Sequence, residues 1–387
     1  MRGLDIQFLD QLREWRHNLH ANPEFGFEET GTARFVVERL RDFGISEIAG
    51  GIGGTGVVAT VRCGDGNRSI ALRADMDALR IEERGDVDYR SKTKGLMHAC
   101  GHDGHTIMLL GAAKILADEG GFDGTVRLIF QPAEEWGRGA LAMIDDGVME
   151  SHPFDEIYGI HNMPGMPIGS FATKAGAIMA AEDIFEITLN GRGGHAARPH
   201  TANEVLVAAC ALVVNLQTIV SRRMDPANQA VVSVTELITD GTRNTLPGTA
   251  RILGDARSLS SGVSAEIERR MRQIAAGTAL GHDCSVSVDY RREFIPLVNT
   301  PLETAASVDV ADQVFGPSKV DRNCGLIMAS EDFAQFLLHA PGSFAFISNG
   351  MDSMPLHNAS YDFDDSALEG GIRYLVGLAR ARLPASG

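Results

Sequence analysis

The sequence predicts an α/β domain interrupted by an inserted ferredoxin-like α+β domain, and three observations lead there. From about residue 173 the pattern changes to strands and helices in the order β-α-β-β-α-β, placed at residues 176–289, which is the ferredoxin-like order. On either side, in residues 1–175 and 290–387, apolar strands alternate with helices, as in an α/β layer structure. Residues suited to metal chemistry lie on both sides of the insert, which favours one interrupted domain over three domains in a row. At 387 residues more than one core is expected, because domains usually run about 100–200 residues.

The elements follow in order. Residues 5–20 form an amphipathic helix that Pro23 and Gly26 end, and a second helix covers about 28–43. In "GGIGGTGVVATV", Gly51, Gly53 and Gly56 have the G-x-G-x-x-G spacing of a dinucleotide site. They lead into a β-branched strand rather than a helix N-terminus, so the segment reads as a turn. "GVVATVRC" and "RSIALRADMD" flank "GDGN" and are expected to pair as a hairpin. Asp103 is placed to cap a helix over 104–119 whose apolar residues nearly encircle it, so that helix should be buried. A strand "TVRLIFQPAEE", a helix near 137–146 and a strand "EIYGIHNMP" follow.

In the insert, "EDIFEITLNG", "QAVVSVTEL", "GTARILGDARSL" and "DCSVSVDYR" alternate as strands. "TANEVLVAACALVVNLQTIVSRR" is a helix with Thr201 and Glu204 in capping-box spacing, and "SAEIERRMRQIAAGTAL" is a second helix. Beyond it, "TPLE" starts a helix, "GSFAFISNG" is a strand, and residues 365–382 close the chain as a helix.

A net charge of -16, with no local run of Lys or Arg, repels phosphate backbones and anionic membranes, so neither nucleic acid nor a membrane is an expected partner. The stretch "MRGLDIQFLDQLREWRHNLH" has no apolar h-region and does not read as a signal peptide. No stretch approaches the roughly 18 apolar residues of a membrane span, and the cytoplasm is the expected location. Five scattered cysteines without a C-x-x-C pair argue against a disulfide framework or a closed structural zinc ribbon.

The chemistry centres on "MHACGHDGH", residues 97–105. Cys100 and His102 lie two apart between glycines, where a turn can aim both at one point, and thiolate and imidazole suit zinc and related metals. Isolated histidines such as His17, His20, His152, His282 and His339 read as ordinary core or surface residues. Further donors end strands: Glu134 and Glu135 in "FQPAEEW", His161 in "YGIHNMP", and Asp75 and Asp77 in "RADMDAL"; His357 lies in the loop "MPLHNASYDF". Together they offer more ligands than one metal needs, so two metals sharing one ligand are expected, with a neighbouring carboxylate free to move protons. Two competing readings stay open: a Cys100 nucleophile activated by histidine, which leaves the carboxylates unused, and a non-catalytic metal-binding protein, which leaves Glu134 idle.

"RADMDAL", "MHACGHDGH", "FQPAEE", "GIHNMP", "GGHAARPH", "SEDF" and "LHNASYDF", in that order over about residues 13–380, resemble the dinuclear metallo-aminoacylase and carboxypeptidase family. The resemblance is to the branch of hippurate hydrolases, N-acetyl-amino-acid deacylases and auxin-conjugate hydrolases. It implies a metallopeptidase-like catalytic domain with a mixed sheet, interrupted by a ferredoxin-like satellite through which two subunits form a homodimer. It implies Cys100 as the ligand bridging two divalent ions, manganese or zinc with cobalt and nickel open, and His102, Glu135, His161 and His357 as the other ligands. Glu134 takes the role of general base, receiving a proton from the attacking water and passing it to the leaving amine. His195 in "GRGGHAARPH" is the implied oxyanion donor, reaching the partner subunit's site, and Asn244 and Arg257 the binders of the substrate carboxylate. Asp77 would orient a ligand, with His102 replacing an imidazole that other branches carry where Asp75 stands. The implied reaction cleaves N-acyl-L-amino acids to a carboxylate and a free amino acid. Arg80, Thr245, Leu246 and "GDARS" depart from the branch's usual residues on the substrate side, which leaves acyl preference open.

Overall fold

Four strands with apolar runs pair in parallel at the centre of an eight-stranded mixed sheet: Gly124–Gln131, Ser69–Asp75, Glu156–Met163 and Gly342–Ser348, in that spatial order. Their near-continuous burial accounts for their largely apolar sequence, because helices cover both faces of a parallel sheet. Gly56–Cys63 and then Ile48–Ile52 extend one edge antiparallel, and the short strands Phe171–Ala172 and Val320–Asp321 extend the other. The computed structural model describes residues 5–385; of the stretch read as lacking a leader, Met1–Leu4 lie outside them.

The expected hairpin of Gly56–Cys63 with Ser69–Asp75 does not form: Gly124–Gln131 lies between them, bonded to both. The chain leaves Ser69–Asp75, crosses the sheet through helix His102–Glu119 and returns parallel, so a crossover unit replaces the local pairing that the short "GDGN" turn suggested. Of the glycines in "GGIGG", Gly53 and Gly54 form the turn between Ile48–Ile52 and Gly56–Cys63, while Gly50 and Gly51 lie in the first strand; Gly51, Gly53 and Gly54 have positive φ.

Helix His102–Glu119 is buried on nearly every side, as its composition predicts. It packs on the sheet and against helices Ile6–Ala21 and Ala367–Arg382; a Cβ at Gly111 would meet Ile372 at 2.6 Å and Leu12 at 3.2 Å, so glycine allows that close approach. It starts two residues earlier than expected, and Asp103 is not its cap. Gly101 is the N-cap residue, at φ 91°, while Asp103 lies within the first turn, fully buried against Arg16 (3.2 Å) and His20 (2.9 Å). Arg16 also reaches Asp362 (3.0 Å) and Asp365 (2.6 Å), so carboxylates on three sides balance its buried charge.

The chain divides into two compact units. One joins the chain up to Ile178 with Val298–Gly325 and the segment from Asp332 on; the other comprises Met179–Leu297 and Leu326–Glu331. The second holds a four-stranded antiparallel sheet in the order Ala230–Thr239, Thr249–Ser258, Ala181–Asn190, Ser285–Phe294. Residues of helices Val205–Leu216 and Ser261–Gly281 join the apolar side of that sheet in one core, giving the chain order β-α-β-β-α-β. Ala181–Asn190 and Thr249–Ser258 alternate buried and half-buried residues almost perfectly, the mark of a sheet with one covered face. The Thr201–Glu204 capping box is absent. Thr201 ends a separate short turn and donates to the Arg198 carbonyl, and the helix starts at Val205 with no side-chain cap. It stops at Leu216, and a π turn spans Ile219–Arg223. No helix among the described residues is long and apolar enough to cross a membrane.

The ion cluster on the first helix gives a pH test. Burial pulls the His20 imidazole down, but hydrogen bonds to Asp103 and Glu83 more than offset this and raise it from 6.5 to about 9. A group raised on folding stabilises fully below its unfolded value and loses that contribution as pH climbs through the folded one. Unfolding free energy measured in urea should therefore decline between pH 6.5 and about 9, and His20→Gln should flatten the decline. An identical slope in the variant would rule out this coupling.

Candidate metal centre

The carboxyl ends of the four parallel strands lie at one edge of the sheet, and most of the donor residues follow them. In open α/β sheets this edge is where ligands bind. Gly101 lets the chain turn between Cys100 and His102: at φ 91°, with an added Cβ 2.2 Å from Asn162 Oδ1, only glycine fits. After Gln131 the chain passes Pro132 and Ala133, the latter left-handed at φ 49°, into a single 3-10 turn, Glu134–Trp136. His161 comes near the end of Glu156–Met163, and His357, at φ 63°, is tied to the Cys100 loop by its N–H on the Ala99 carbonyl (2.8 Å).

Five donor groups form among the described residues, and two of them contain Cys100. Cys100, His102 and His161 offer ligand atoms within 4.8 Å of one another, and so do Cys100, Glu135 and His357. Cys100 belongs to both, so the structure brings the five residues read as ligands into two triads that share one thiol. Cys100 Sγ is 3.3 Å from His161 Nε2, and His357 Nε2 is 3.3 Å from Glu135 Oε2. Glu134 Oε2 and Glu135 Oε1 each lie 3.9 Å from His102 Nε2.

Second contacts fix each ring. His161 Nδ1 bonds the Asn162 carbonyl (2.6 Å), which turns Nε2 toward Cys100. His102 Nδ1 bonds Asp77 Oδ1 (3.1 Å), while Asp77 Oδ2 accepts the Glu135 N–H (3.1 Å), so one carboxylate orients residues of both triads. His105 bridges Asp75 and Asn162 at 2.6 Å each. His98 is buried with no hydrogen-bond partner on either ring nitrogen, and burial pulls it down to about 4.

The charge pattern tests whether a cation suits this cluster. His102 Nε2 and Glu135 Oε1 are buried polar atoms without a hydrogen-bond partner, and both point into the donor groups. Burial, then the charges of Glu135, Glu134 and Asp75, push the Cys100 thiol well above its usual range. Burial lowers the His102 imidazole, but Asp75, Asp77 and Glu135 outweigh it and raise the ring to about 10. Burial and then the neighbouring His105 push His161 well down, toward the neutral form that ligates. A thiol surrounded by carboxylates is a poor free nucleophile, because reactive cysteines sit in electropositive surroundings. The same surroundings suit a divalent cation, which favours the thiolate.

Residues that the sequence left unassigned complete the centre. Arg73 is buried and bonds Asp75 (2.7 Å), Gln131 (2.8 Å) and Asp332 (3.1 Å). Asp332 in turn accepts the Gln131 side-chain amide (2.7 Å) and the Ala140 N–H (2.9 Å), while its own N–H reaches Glu134 Oε1 at 3.4 Å. The spacing of Arg73 and Asp75 on one strand face was a signal that both point to the same side of the sheet.

Three residues assigned from the resemblance lie in the second unit. His195 is exposed on a two-residue strand that pairs with Thr245–Leu246, and the Asn244 carbonyl accepts the Ala196 N–H (3.0 Å), which sets His195 and Asn244 side by side. The Ala197 N–H donates to His195 Nδ1 (3.0 Å). Arg257, paired in register with Glu182, bonds Glu182 (3.0 Å), Asp255 (2.9 Å) and Ser330 (2.9 Å), so two carboxylates of its own sheet already hold it.

Comparison with known proteins gives the same architecture a family. Residues 71–381 match the model of peptidase family M20/M25/M40. The chain is 40% identical over 376 residues to hippurate hydrolase of Campylobacter jejuni, covering 97% of each chain. It is 38% identical over 363 residues to N-acetyl-L-cysteine deacetylase of Bacillus subtilis, covering 92% of this chain and 85% of that one. The crystal structure of the Bacillus subtilis YXEP protein, a dinuclear metal-binding peptidase of family M20, superposes with a TM-score of 0.86 at 30% identity, covering 98% of this chain and 99% of that one. The chain belongs to peptidase family M20/M25/M40, in its amidohydrolase branch, and is a hydrolase of amide C–N bonds.

Proposed function

We propose that this enzyme hydrolyses N-acyl-L-amino acids to a carboxylate and a free amino acid. The observation that carries the reading is the pair of donor triads sharing Cys100, with Glu134 close to His102 and Glu135 but in neither triad that holds the thiol. Cys100, His102, Glu135, His161 and His357 would hold two divalent ions, manganese or zinc before cobalt or nickel, whose Lewis acidity polarises the acyl carbonyl. Hippurate hydrolase and N-acetyl-L-cysteine deacetylase, whose names state N-acyl amino acid substrates, support the substrate class.

Glu134 is the general base. It is buried, and its Oε1 faces the Asp332 N–H, while its Oε2, on the side of His102, receives a proton from the attacking water. The protonated carboxyl then delivers that proton to the departing amine nitrogen as the C–N bond breaks. Asp77 orients His102 and Glu135 from behind. Because the Ala197 N–H donates to His195 Nδ1, a neutral His195 ring carries its proton on Nε2, the form that donates to a developing oxyanion. Asn244, next to His195, and Arg257 are the groups proposed for the substrate carboxylate. Arg257 would exchange one of its present carboxylate partners for it.

A homodimer through the satellite domain is supported by its surface. Val207 and Val214 are exposed on helix Val205–Leu216, and the edge strand Ala230–Thr239 exposes Val231, Leu237 and Ile238. An edge with exposed apolar residues is a template for pairing with another copy. Five free cysteines suit a reducing compartment and support the cytoplasm.

Glu134→Gln should retain both metals by elemental analysis while turnover of N-acyl amino acids falls by about 100-fold or more, the usual scale of general-base catalysis. Near-normal turnover in that variant would remove Glu134 from the mechanism. If His195 serves the partner's site, mixing His195→Ala and Glu134→Gln subunits should regenerate activity that neither homodimer has. Mixed dimers as inactive as their parents would contradict the shared site.

A further inference from the structure

We infer that Glu29, far from the metal motifs in sequence, is a positioning residue that holds the general base Glu134 through the backbone of Ala133. The inference rests on Glu134 being that base. Glu29 is fully buried, and its Oε1 accepts the Ala133 N–H at 2.8 Å while its Oε2 meets the Thr55 hydroxyl at 2.6 Å. Ala133 immediately precedes Glu134 and has φ 49°, ψ 41°, a left-handed conformation that costs a residue with a Cβ of order 1 kcal/mol or more unless its surroundings fix it.

The local design around Glu29 separates this contact from helix capping. Glu29 occupies the N-cap position of helix Thr30–Asp42, yet its side chain makes no bond to that helix. Glu24 caps in its place, accepting the N–H groups of Gly31 (2.9 Å) and Thr32 (2.7 Å). The Glu29 carboxyl is thereby free to cross to the 3-10 turn. The segment carrying it is pressed against the same turn: a Cβ on Gly26 would lie 3.1 Å from the Ala133 Cα, and Phe25 packs edge-on to Trp136 at 5.0 Å. Its other side is tied to the residue after Asp77, with the Ala78 N–H on the Glu24 carbonyl at 2.9 Å. The N-terminal segment thus clamps the strand ends that deliver Asp77 and Glu134.

Burial raises the Glu29 carboxyl to about 7, with the nearby Asp77 charge adding to it, and either protonation state keeps an oxygen for the Ala133 N–H. The group therefore acts as a hydrogen-bond acceptor rather than a charge, and glutamine can replace it: its amide oxygen can accept from Ala133 while its NH2 donates to Thr55.

Glu29→Ala should lower kcat on the order of 10- to 100-fold, the scale of losing an outer contact or a small misplacement of a reacting group, with KM little changed and two metals per chain retained. Glu29→Gln should restore most of the rate. The deciding measurement is a double-mutant cycle by single-turnover kinetics: in a Glu134→Gln background, Glu29→Ala should cost almost nothing further, because its effect passes through the carboxylate already removed. If Glu29→Ala does not fold, Glu29→Asp, which draws the acceptor back by one methylene, runs the same cycle. Additive losses, or a rise in KM or loss of metal that accounts for the defect, would overturn the inference and leave Glu29 a general structural residue. An active Glu134→Gln enzyme would instead overturn the general-base reading itself.

Discussion

The structure turns on an imbalance of charge at one edge of the sheet. Asp75, Asp77, Glu134 and Glu135 converge with the Cys100 thiol in a space almost closed to water, and the His102 imidazole lies among them. Burying anions without counter-charge costs several kcal/mol each, so the chain must either protonate them or supply cations. Arg73 answers part of this from within the sheet, pairing with Asp75 and Asp332. At the front of the cluster, His102 Nε2 and Glu135 Oε1 remain without hydrogen bonds. A pair of divalent ions would resolve the imbalance, which is why we read the cluster as a dinuclear centre rather than a thiol nucleophile.

That demand explains the rigidity behind the site. Helix His102–Glu119 carries a proposed ligand at its first residue, and its first turn is locked by Asp103 on Arg16 and His20 from the N-terminal helix. His161 lies near the end of one parallel strand and Glu134 just past the end of another, and parallel pairing with the neighbours sets the register of both. The loop that carries His357 is pinned by a backbone bond, its N–H on the Ala99 carbonyl. Placing donors to within a fraction of an ångström requires this kind of support more than it requires the donors themselves.

The donors were legible in the sequence because their residue types are rare and their spacing is distinctive: "HACGHDGH", paired glutamates after a strand, and histidines near turns. The satellite's strand order was also legible, since period-two alternation and intervening helices are local signals. Non-local facts were not. The Gly124–Gln131 strand displaced the expected hairpin because parallel pairing depends on a crossover of the chain that no short window reveals. Asp103 looked like a cap because aspartate before an apolar helix usually is one; its real partner, Arg16, lies 87 residues away. Glu29 and Arg73 escaped notice for the same reason, as their roles exist only when distant segments meet.

A dinuclear centre of this design requires one thiol common to two cation sites. Crystals loaded with manganese or zinc and measured at that metal's absorption edge test this directly. Two anomalous peaks per chain are expected, about 3.5 to 4 Å apart, with Cys100 Sγ within bonding distance of both. A single peak, or two peaks of which Cys100 touches one or none, would contradict the shared thiol.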